Sequence, residues 1–237
     1  MNSFSISEAL RFGWTEFKKY PWIYIGIGVL VGVVSMLGHV RYLGILISIM
    51  SIEVTLGFMK VCLNAYSGLK PEMNTVFSQW HKFFRALGVI LIILGMILIP
   101  LLILGAVLIL WGMTDIAHLP MWARVTGIIL AVVAIYAIII RYIFALYLIV
   151  DEEIAIKQSL KKSALMTKGI RGKLVWFFIV RSLITALGLL ALGFGILITY
   201  PIAQLATAFV YKKVSGRTLM TTVVESTPTE PLPTVQV

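Results

Sequence analysis

Long apolar stretches that alternate with short basic connections dominate this sequence. A transmembrane helix needs about 20 mostly apolar residues, and six stretches meet or approach that length. They cover residues 22–37, 43–66, 86–111, 124–150, 174–192 and 195–211. The last two form one apolar run, which we divide at residues 193–195 because glycine permits a tight reversal there. The pattern predicts an all-α polytopic membrane protein with six transmembrane helices.

Three further segments carry apolar residues at helical spacing on one side and charged residues on the other. They cover about residues 6–19, 75–85 and 152–168, each of them ahead of a pair of spans. Such segments are typical of amphipathic helices that lie in the membrane interface. We therefore expect three cytoplasmic interfacial helices. The chain then consists of three units, each an interfacial helix followed by a hairpin of two spans, and whether the units arose by duplication stays open.

The membrane domain is expected to occupy residues 1–217. The remaining segment, 218–237, is rich in Thr, Pro and Val, and its composition predicts a disordered cytoplasmic tail.

Composition supports the membrane interpretation. Hydrophobic residues make up 60% of the chain and charged residues 13%, and the mean hydropathy is +1.00. A soluble fold of this size could not bury that much apolar surface beneath a polar shell. The net charge of +10 does not indicate a nucleic-acid partner, because the basic residues lie beside the apolar stretches rather than in a separate domain. Anionic phospholipids are the expected partners.

The distribution of lysine and arginine predicts the orientation. All of them except Arg41, Arg124, Arg141 and Arg181 fall in or beside connections on one side of the predicted membrane. Short basic loops stay in the cytoplasm, so both termini are expected there.

Three ionisable residues lie well inside apolar stretches, where charge is costly and commonly functional. They are Glu53, Arg141 and Arg181. One interpretation is a structural ion pair between Glu53 and one of the two arginines. Because one carboxylate cannot neutralise both arginines, the second interpretation is a lipid-headgroup site formed by Arg141, Arg181 and Lys60.

The third amphipathic segment carries a dense set of basic residues. We expect Lys157, Lys161, Lys162 and Lys168 to contact anionic lipid at the interface. The acidic residues 151–153 are expected to favour the positive N-terminal end of the helix that follows them.

No arrangement of residues predicts catalysis, a metal site or a cofactor. The three histidines, His39, His81 and His118, are distributed over opposite predicted sides of the membrane. Cys62 is the only cysteine, which excludes an internal disulfide. No nucleophile with a base, and no pair of metal-binding carboxylates, lies on one side.

Four short segments resemble a known bacterial family. They are ISEALRFGW at 6–14, SALMTKG at 163–169, YPIAQLA at 200–206 and VYKKVSG at 210–216. These segments look like the membrane domain that is fused to some glycerophosphodiester phosphodiesterases, and like its stand-alone relatives of unknown function. The resemblance implies a six-helix module of the bacterial inner membrane. It implies no catalytic residues, because the phosphodiesterase chemistry of that family belongs to a separate soluble domain.

Two functions remain after these exclusions. The first is a non-enzymatic, lipid-interacting membrane protein that organises the cytoplasmic leaflet or supports partner membrane proteins. Its protein partner is then another membrane protein or a second copy of this chain. The second is a small transporter or accessory permease with Glu53 as its coupling site.

Overall fold

A computed structural model of the chain describes residues 4–37, 44–110, 121–190 and 195–226, and every regular element in these ranges is helical. The helices are α1 (Ile6–Lys19), α2 (Pro21–Leu37), α3 (Gly44–Tyr66), α4 (Met73–Val76), α5 (Phe83–Leu110), α6 (Met121–Tyr142), α7 (Ala145–Glu152), α8 (Ile156–Met166), α9 (Arg171–Leu190) and α10 (Ile196–Ser226). A 3₁₀ turn, Trp80–Lys82, precedes α5. The all-helical prediction is confirmed for these ranges.

Four helical stretches are long and apolar enough to cross a membrane. They are Ile49–Tyr66, Met73–Ile103, Val125–Glu152 and Arg171–Leu190, and a fifth results if α1 and α2, which meet at an angle of 104°, form one broken span. Large apolar side chains on these helices face outward, among them Leu102 at 69% and Leu190 at 80% exposure. Water would solvate such a surface poorly, whereas lipid tails match it. The chain therefore has the surface of a membrane protein.

The short elements gather at one end of the bundle, which we call the basic end; it comprises α1, α4, the 3₁₀ turn and α8 with the helix ends that they contact. In α1, the buried residues Ala9, Gly13 and Phe17 form one face, which packs along α10. The ring of Phe12 lies 5.1 Å from that of Phe209 on α10 and 5.8 Å from that of Tyr66 on α3. The first amphipathic segment thus covers the bundle as well as presenting a polar face.

The same packing pattern occurs three times around the bundle. The first short helix of each unit contacts the last long helix of the unit before it: α4 packs on α3, α8 on α7, and α1 on α10. In the second unit the last helical stretch is divided into α6 and α7. The first long helix of each unit also contacts the last helical stretch of the unit before it, since α5 contacts α3, α9 contacts α6, and α2 contacts α10. The three units are therefore arranged in a ring, in which the first closes against the third.

The inner helices of this ring are α3, α7 and α10, and they carry most of the buried core. Phe144, just before α7, and Tyr147 on α7 pack against Tyr211 on α10, with ring centroids 5.8 Å and 5.3 Å from that of Tyr211. The Tyr147 hydroxyl lies 3.5 Å from Gln204 Oε1 of α10. These contacts join the last helices of the second and third units at the basic end.

Two predicted elements differ from the structure. The segment predicted as a helix over 75–85 is divided into α4 and the 3₁₀ turn, because the Gln79 backbone N–H between them donates to the Glu53 carboxylate of α3. The apolar stretch 124–150 is divided as well, since α6 ends at Tyr142 and α7 begins at Ala145.

The described part of the chain is helical across the first nine residues of the segment predicted as a tail, 218–226. Helix α10 continues to Ser226. Between residue 218 and Pro228 there is no proline, which would disfavour a helix. Residues 227–237 of the predicted tail lie outside the described residues, as do the connection that contains Arg41 and the first two residues of the reversal predicted at 193–195.

Candidate functional site

The break between α6 and α7 lies beside a strongly basic groove. After Tyr142 the regular helical hydrogen bonding stops, and the Arg141 carbonyl oxygen accepts hydrogen bonds from two hydroxyl groups of the neighbouring segment. The Ser163 hydroxyl donates to it at 3.1 Å and the Thr167 hydroxyl at 3.4 Å. Both hydroxyl-bearing residues are fully buried. These bonds hold α8 against the break and bring Arg141 beside the basic residues of α8.

The resulting groove lies between α6, α8 and the start of α9 and has a volume of about 470 Å³. Four of its lining residues are cations: Arg141, Lys161, Lys168 and Arg171. Gly169 lies in the reversal between α8 and α9 with a φ of 82°, a left-handed conformation that glycine adopts without strain. That reversal places Arg171, the first residue of α9, at the same groove as Lys168.

No carboxylate of the described part of the chain forms an ion pair with these four cations. The nearest acidic residues in sequence, Asp151, Glu152 and Glu153, all pair with other lysines. The groove therefore keeps four formal positive charges.

Each residue of the acidic triad, which we define as residues 151–153, binds a different part of the basic end. Asp151 accepts hydrogen bonds from Lys212 Nζ at 2.7 Å and from the Tyr211 hydroxyl at 3.0 Å, both on α10. Glu152 pairs with Lys162 of α8 at 2.6 Å. The triad was expected to favour the helix that follows it. Instead it lies at the end of α7 and joins that helix to its neighbours.

Glu153, the third member of the triad, binds the 3₁₀ turn. Its Oε1 lies 2.8 Å from Lys82 Nζ and 3.7 Å from His81 Nε2. The hydrogen bond from Lys82 and the attraction of its charge hold the pKa of Glu153 below its ordinary value of 4.5. Lys82 itself is only 2% exposed and also donates to the Val150 carbonyl at 2.9 Å. Arg85 donates to the Glu153 carbonyl at 2.7 Å, so two cations cap the C-terminal end of α7.

The predicted ion pair of Glu53 does not form in this structure. Its side chain is 1% exposed, and Oε1 accepts the Gln79 backbone N–H at 2.8 Å. Neither Arg141 nor Arg181 lies within ion-pair distance of it; their guanidinium groups instead lie 5.6 Å and 5.5 Å from the Tyr142 and Phe178 rings. The partner of the Glu53 carboxylate is instead the backbone N–H of Gln79, in the segment that follows α4.

The predicted lipid-headgroup residues are not brought together. Arg141 lies in the basic groove, whereas Arg181 lines a second groove of about 390 Å³ between α9 and α10, together with Thr185 and Tyr200. Lys60, on α3, is partly buried and lines neither groove.

The predicted interfacial lysines fall into two groups. Lys161 and Lys168 line the basic groove, while Lys157 is exposed outside it and Lys162 is paired with Glu152. Only half of that set thus joins Arg141.

Sequence reasoning did not single out Arg171 or Lys82. Arg171 belongs to the same basic connection as Lys168, and its place just before an apolar span was the available signal. Lys82 stands between Trp80 and two phenylalanines, and a lysine within so apolar a segment suggests a buried partner. Among the described residues, no group of three or more His, Cys, Asp or Glu is arranged to hold a metal ion.

Comparison of the chain with protein-family models, with curated proteins and with solved structures gives no match. The resemblance to the membrane domain associated with glycerophosphodiester phosphodiesterases stays a prediction.

Proposed function

We propose that this chain is a six-span, non-enzymatic protein of the bacterial inner membrane that binds anionic phospholipid headgroups of the cytoplasmic leaflet in the basic groove. The observation that carries the proposal is the set of four cations, Arg141, Lys161, Lys168 and Arg171, that share one groove without a carboxylate partner in the described part of the chain. Held lipid would let the protein organise that leaflet or support a neighbouring membrane protein.

The span count in this proposal adds α2 and α10 to the four candidate spans. Helix α2 has 17 residues and is apolar throughout, and the first part of α10, up to Tyr211, is apolar as well. With six spans, the basic end lies in the cytoplasm, because it holds nearly all of the lysines and arginines. Both termini are then cytoplasmic.

Charge is the first reason for a phosphate ligand. Guanidinium groups form paired hydrogen bonds with phosphate oxygens, and lysine adds compact positive charge. Near an anionic membrane surface each basic residue contributes roughly 1 kcal/mol to binding. Four unpaired cations in one groove therefore favour an anionic headgroup over a zwitterionic one.

The apolar surroundings are the reason for a lipid rather than a soluble anion. Leu160, Ala164 and Leu165 line the same groove as the cations, and Leu165 is 57% exposed. Along α6, residues such as Ile139 and Val133 face outward beyond Arg141. A phospholipid matches both surfaces, with its headgroup among the cations and its acyl chains along α6.

The test replaces two groove cations and compares the result with a matched substitution on the same helix. Full-length protein is purified from a membrane that contains phosphatidylglycerol and phosphatidylethanolamine, and bound lipid is counted by native mass spectrometry. Arg141→Gln and Lys168→Gln should each lower retained phosphatidylglycerol about fivefold, the effect of one charge at a membrane surface. Lys157→Gln should leave it unchanged, because Lys157 is exposed on α8 but outside the groove. Equal retention in all variants would refute the proposal.

A small transporter with Glu53 as its coupling site is the second candidate. The observation in its favour is that Glu53 is buried and that its Oε2 has no hydrogen-bond partner among the described residues. Buried carboxylates of this kind occur on ion and proton pathways. Proteoliposomes that contain the full chain should then show a proton or cation flux that Glu53→Gln abolishes. Lack of any flux with the unmodified chain would eliminate this candidate.

A further inference from the structure

The number of positive charges in the basic groove indicates how many negative charges its ligand carries. At the basic end, the three carboxylates of the acidic triad form ion pairs with Lys212, Lys162 and Lys82. These three lysines join neighbouring helices, and the carboxylates of the triad neutralise their charge. The four groove cations have no such compensation in the described part of the chain, so a ligand with a single negative charge would leave most of their charge unbalanced.

The size of the groove agrees with a larger or more highly charged headgroup. The groove is open, and its volume of about 470 Å³ lies within the range of small-molecule binding sites. The cations come from three separate segments: Arg141 from α6, Lys161 and Lys168 from α8 and the turn after it, and Arg171 from α9. Phosphate oxygens at more than one position can therefore be met by different cations.

We infer that the groove prefers lipid headgroups with two or more negative charges over headgroups with one. This inference rests on the proposed function and names its ligand class. Two headgroup chemistries satisfy it. A phosphomonoester, as in phosphatidic acid, carries close to two charges at neutral pH on one phosphate. A lipid with two phosphodiesters, as in cardiolipin, carries one charge on each of two phosphates.

The two guanidinium groups explain why doubly charged phosphate is favoured. A phosphodiester offers two unesterified oxygens, enough for one paired contact with arginine. A phosphomonoester offers three, and a second phosphate offers two more, so Arg141 and Arg171 can both be engaged while the lysines balance the remaining charge. The backbone of Arg141 is held at the groove by the hydrogen bonds that its carbonyl accepts from Ser163 and Thr167.

The experiment is a competition among lipids with matched acyl chains. Full-length protein in detergent is incubated with equal amounts of phosphatidic acid, cardiolipin, phosphatidylglycerol and phosphatidylethanolamine, and bound lipids are counted by native mass spectrometry. Phosphatidic acid or cardiolipin should be bound about fivefold more than phosphatidylglycerol, which corresponds to one additional charge. Arg171→Gln should reduce this preference, and Lys157→Gln should preserve it.

Changing the pH distinguishes the two headgroup sources. A phosphomonoester loses its second charge as the pH falls below about 6. A preference for phosphatidic acid should therefore decline in acid, whereas a preference for cardiolipin should persist. Excess glycerol 3-phosphate, which is soluble, should displace little lipid, because it lacks the acyl chains that contact the apolar wall.

The outcomes separate this inference from the proposed function. If phosphatidylglycerol is bound as well as the doubly charged lipids and Arg141→Gln lowers all of them, the charge preference is refuted while lipid binding stands. If none of the anionic lipids exceeds phosphatidylethanolamine, both are refuted. A preference that survives unchanged in Arg171→Gln would also overturn the inference, because the groove would not be its source.

Discussion

Replacing Lys82 with methionine should destabilise the basic end, because this buried lysine caps helix α7. Its ammonium group donates to the Val150 carbonyl at 2.9 Å and to Glu153 at 2.8 Å, and its side chain is 2% exposed. Methionine keeps most of the apolar stem and removes the charge. The Val150 carbonyl then loses its described side-chain donor near the last turn of a helix, where carbonyls have no partner within the helix.

The expected magnitude follows from the type of bond. A hydrogen bond that involves a charged group contributes about 1.5–3 kcal/mol, and the cation also interacts favourably with the C-terminal helix dipole. For chains of 150–250 residues, each 1 kcal/mol shifts the unfolding midpoint by about 2–4 °C, so Lys82→Met should lower it by roughly 3–12 °C. Thermal unfolding in detergent, followed by tryptophan fluorescence, measures this shift.

The matched control is Lys157→Met, which removes an exposed lysine of α8 and should change stability by no more than about 0.5 kcal/mol. A Lys82→Met protein as stable as the unmodified chain would refute the capping argument. It would mean that water or another donor replaces the ammonium group at Val150 without cost.

The same contact predicts a dependence on pH. Because Lys82 lowers the pKa of Glu153 from its ordinary value of 4.5, the ionised carboxylate is favoured in the folded state. Its contribution to stability is present above pH 4.5 and is lost as the pH falls through the lowered pKa of the folded protein. The unfolding midpoint should therefore fall on acidification below that pH, and the fall should be smaller in Glu153→Gln. Identical acid profiles for the two proteins would contradict this assignment.

Two further predictions concern packing and topology. Gly57→Ala should destabilise the chain by about 1–3 kcal/mol, because the added methyl group would overlap the Val76 backbone of α4, whereas Gly26→Ala, with open space around it, should be neutral or stabilising in the same thermal assay. A reporter that is active only outside the cytoplasm should stay inactive when fused after Lys70 and become active after Asp115, since only the first lies in a basic connection; activity after Lys70 would reject the orientation.

The apolar pattern was sufficient to predict the long helices but not their interruptions. The stretch 124–150 is apolar, and no glycine or proline lies near the point where the helix is interrupted. Local sequence therefore gives no reason for a break after Tyr142. The break is accompanied by hydrogen bonds to the Arg141 carbonyl from Ser163 and Thr167, which are 22 and 26 residues away in the chain. A pattern that is read one segment at a time does not contain such a contact.

The candidate site shows the same division between local and distant information. The sequence identified Arg141, Lys161 and Lys168 as cations near the membrane, but it assigned Arg141 to a pair with Glu53 or to a site with Arg181. Glu53 instead binds a backbone group 26 residues later, and Arg181 lines a separate groove. Charge and depth can be read from composition and position, whereas partners depend on which faces the helices turn toward each other.

The two adjacent lysines of α8 explain how one helix both packs and presents charge. Lys162 turns toward α7 and is neutralised by Glu152, while Lys161 turns toward the groove beside Arg141. Consecutive residues on a helix point in directions about 100° apart, so a pairing that fixes the first direction also fixes the second. The contact that holds α8 in place is therefore one of the causes of the unpaired charge in the groove, because α8 cannot rotate Lys161 toward a carboxylate without losing the pair between Lys162 and Glu152.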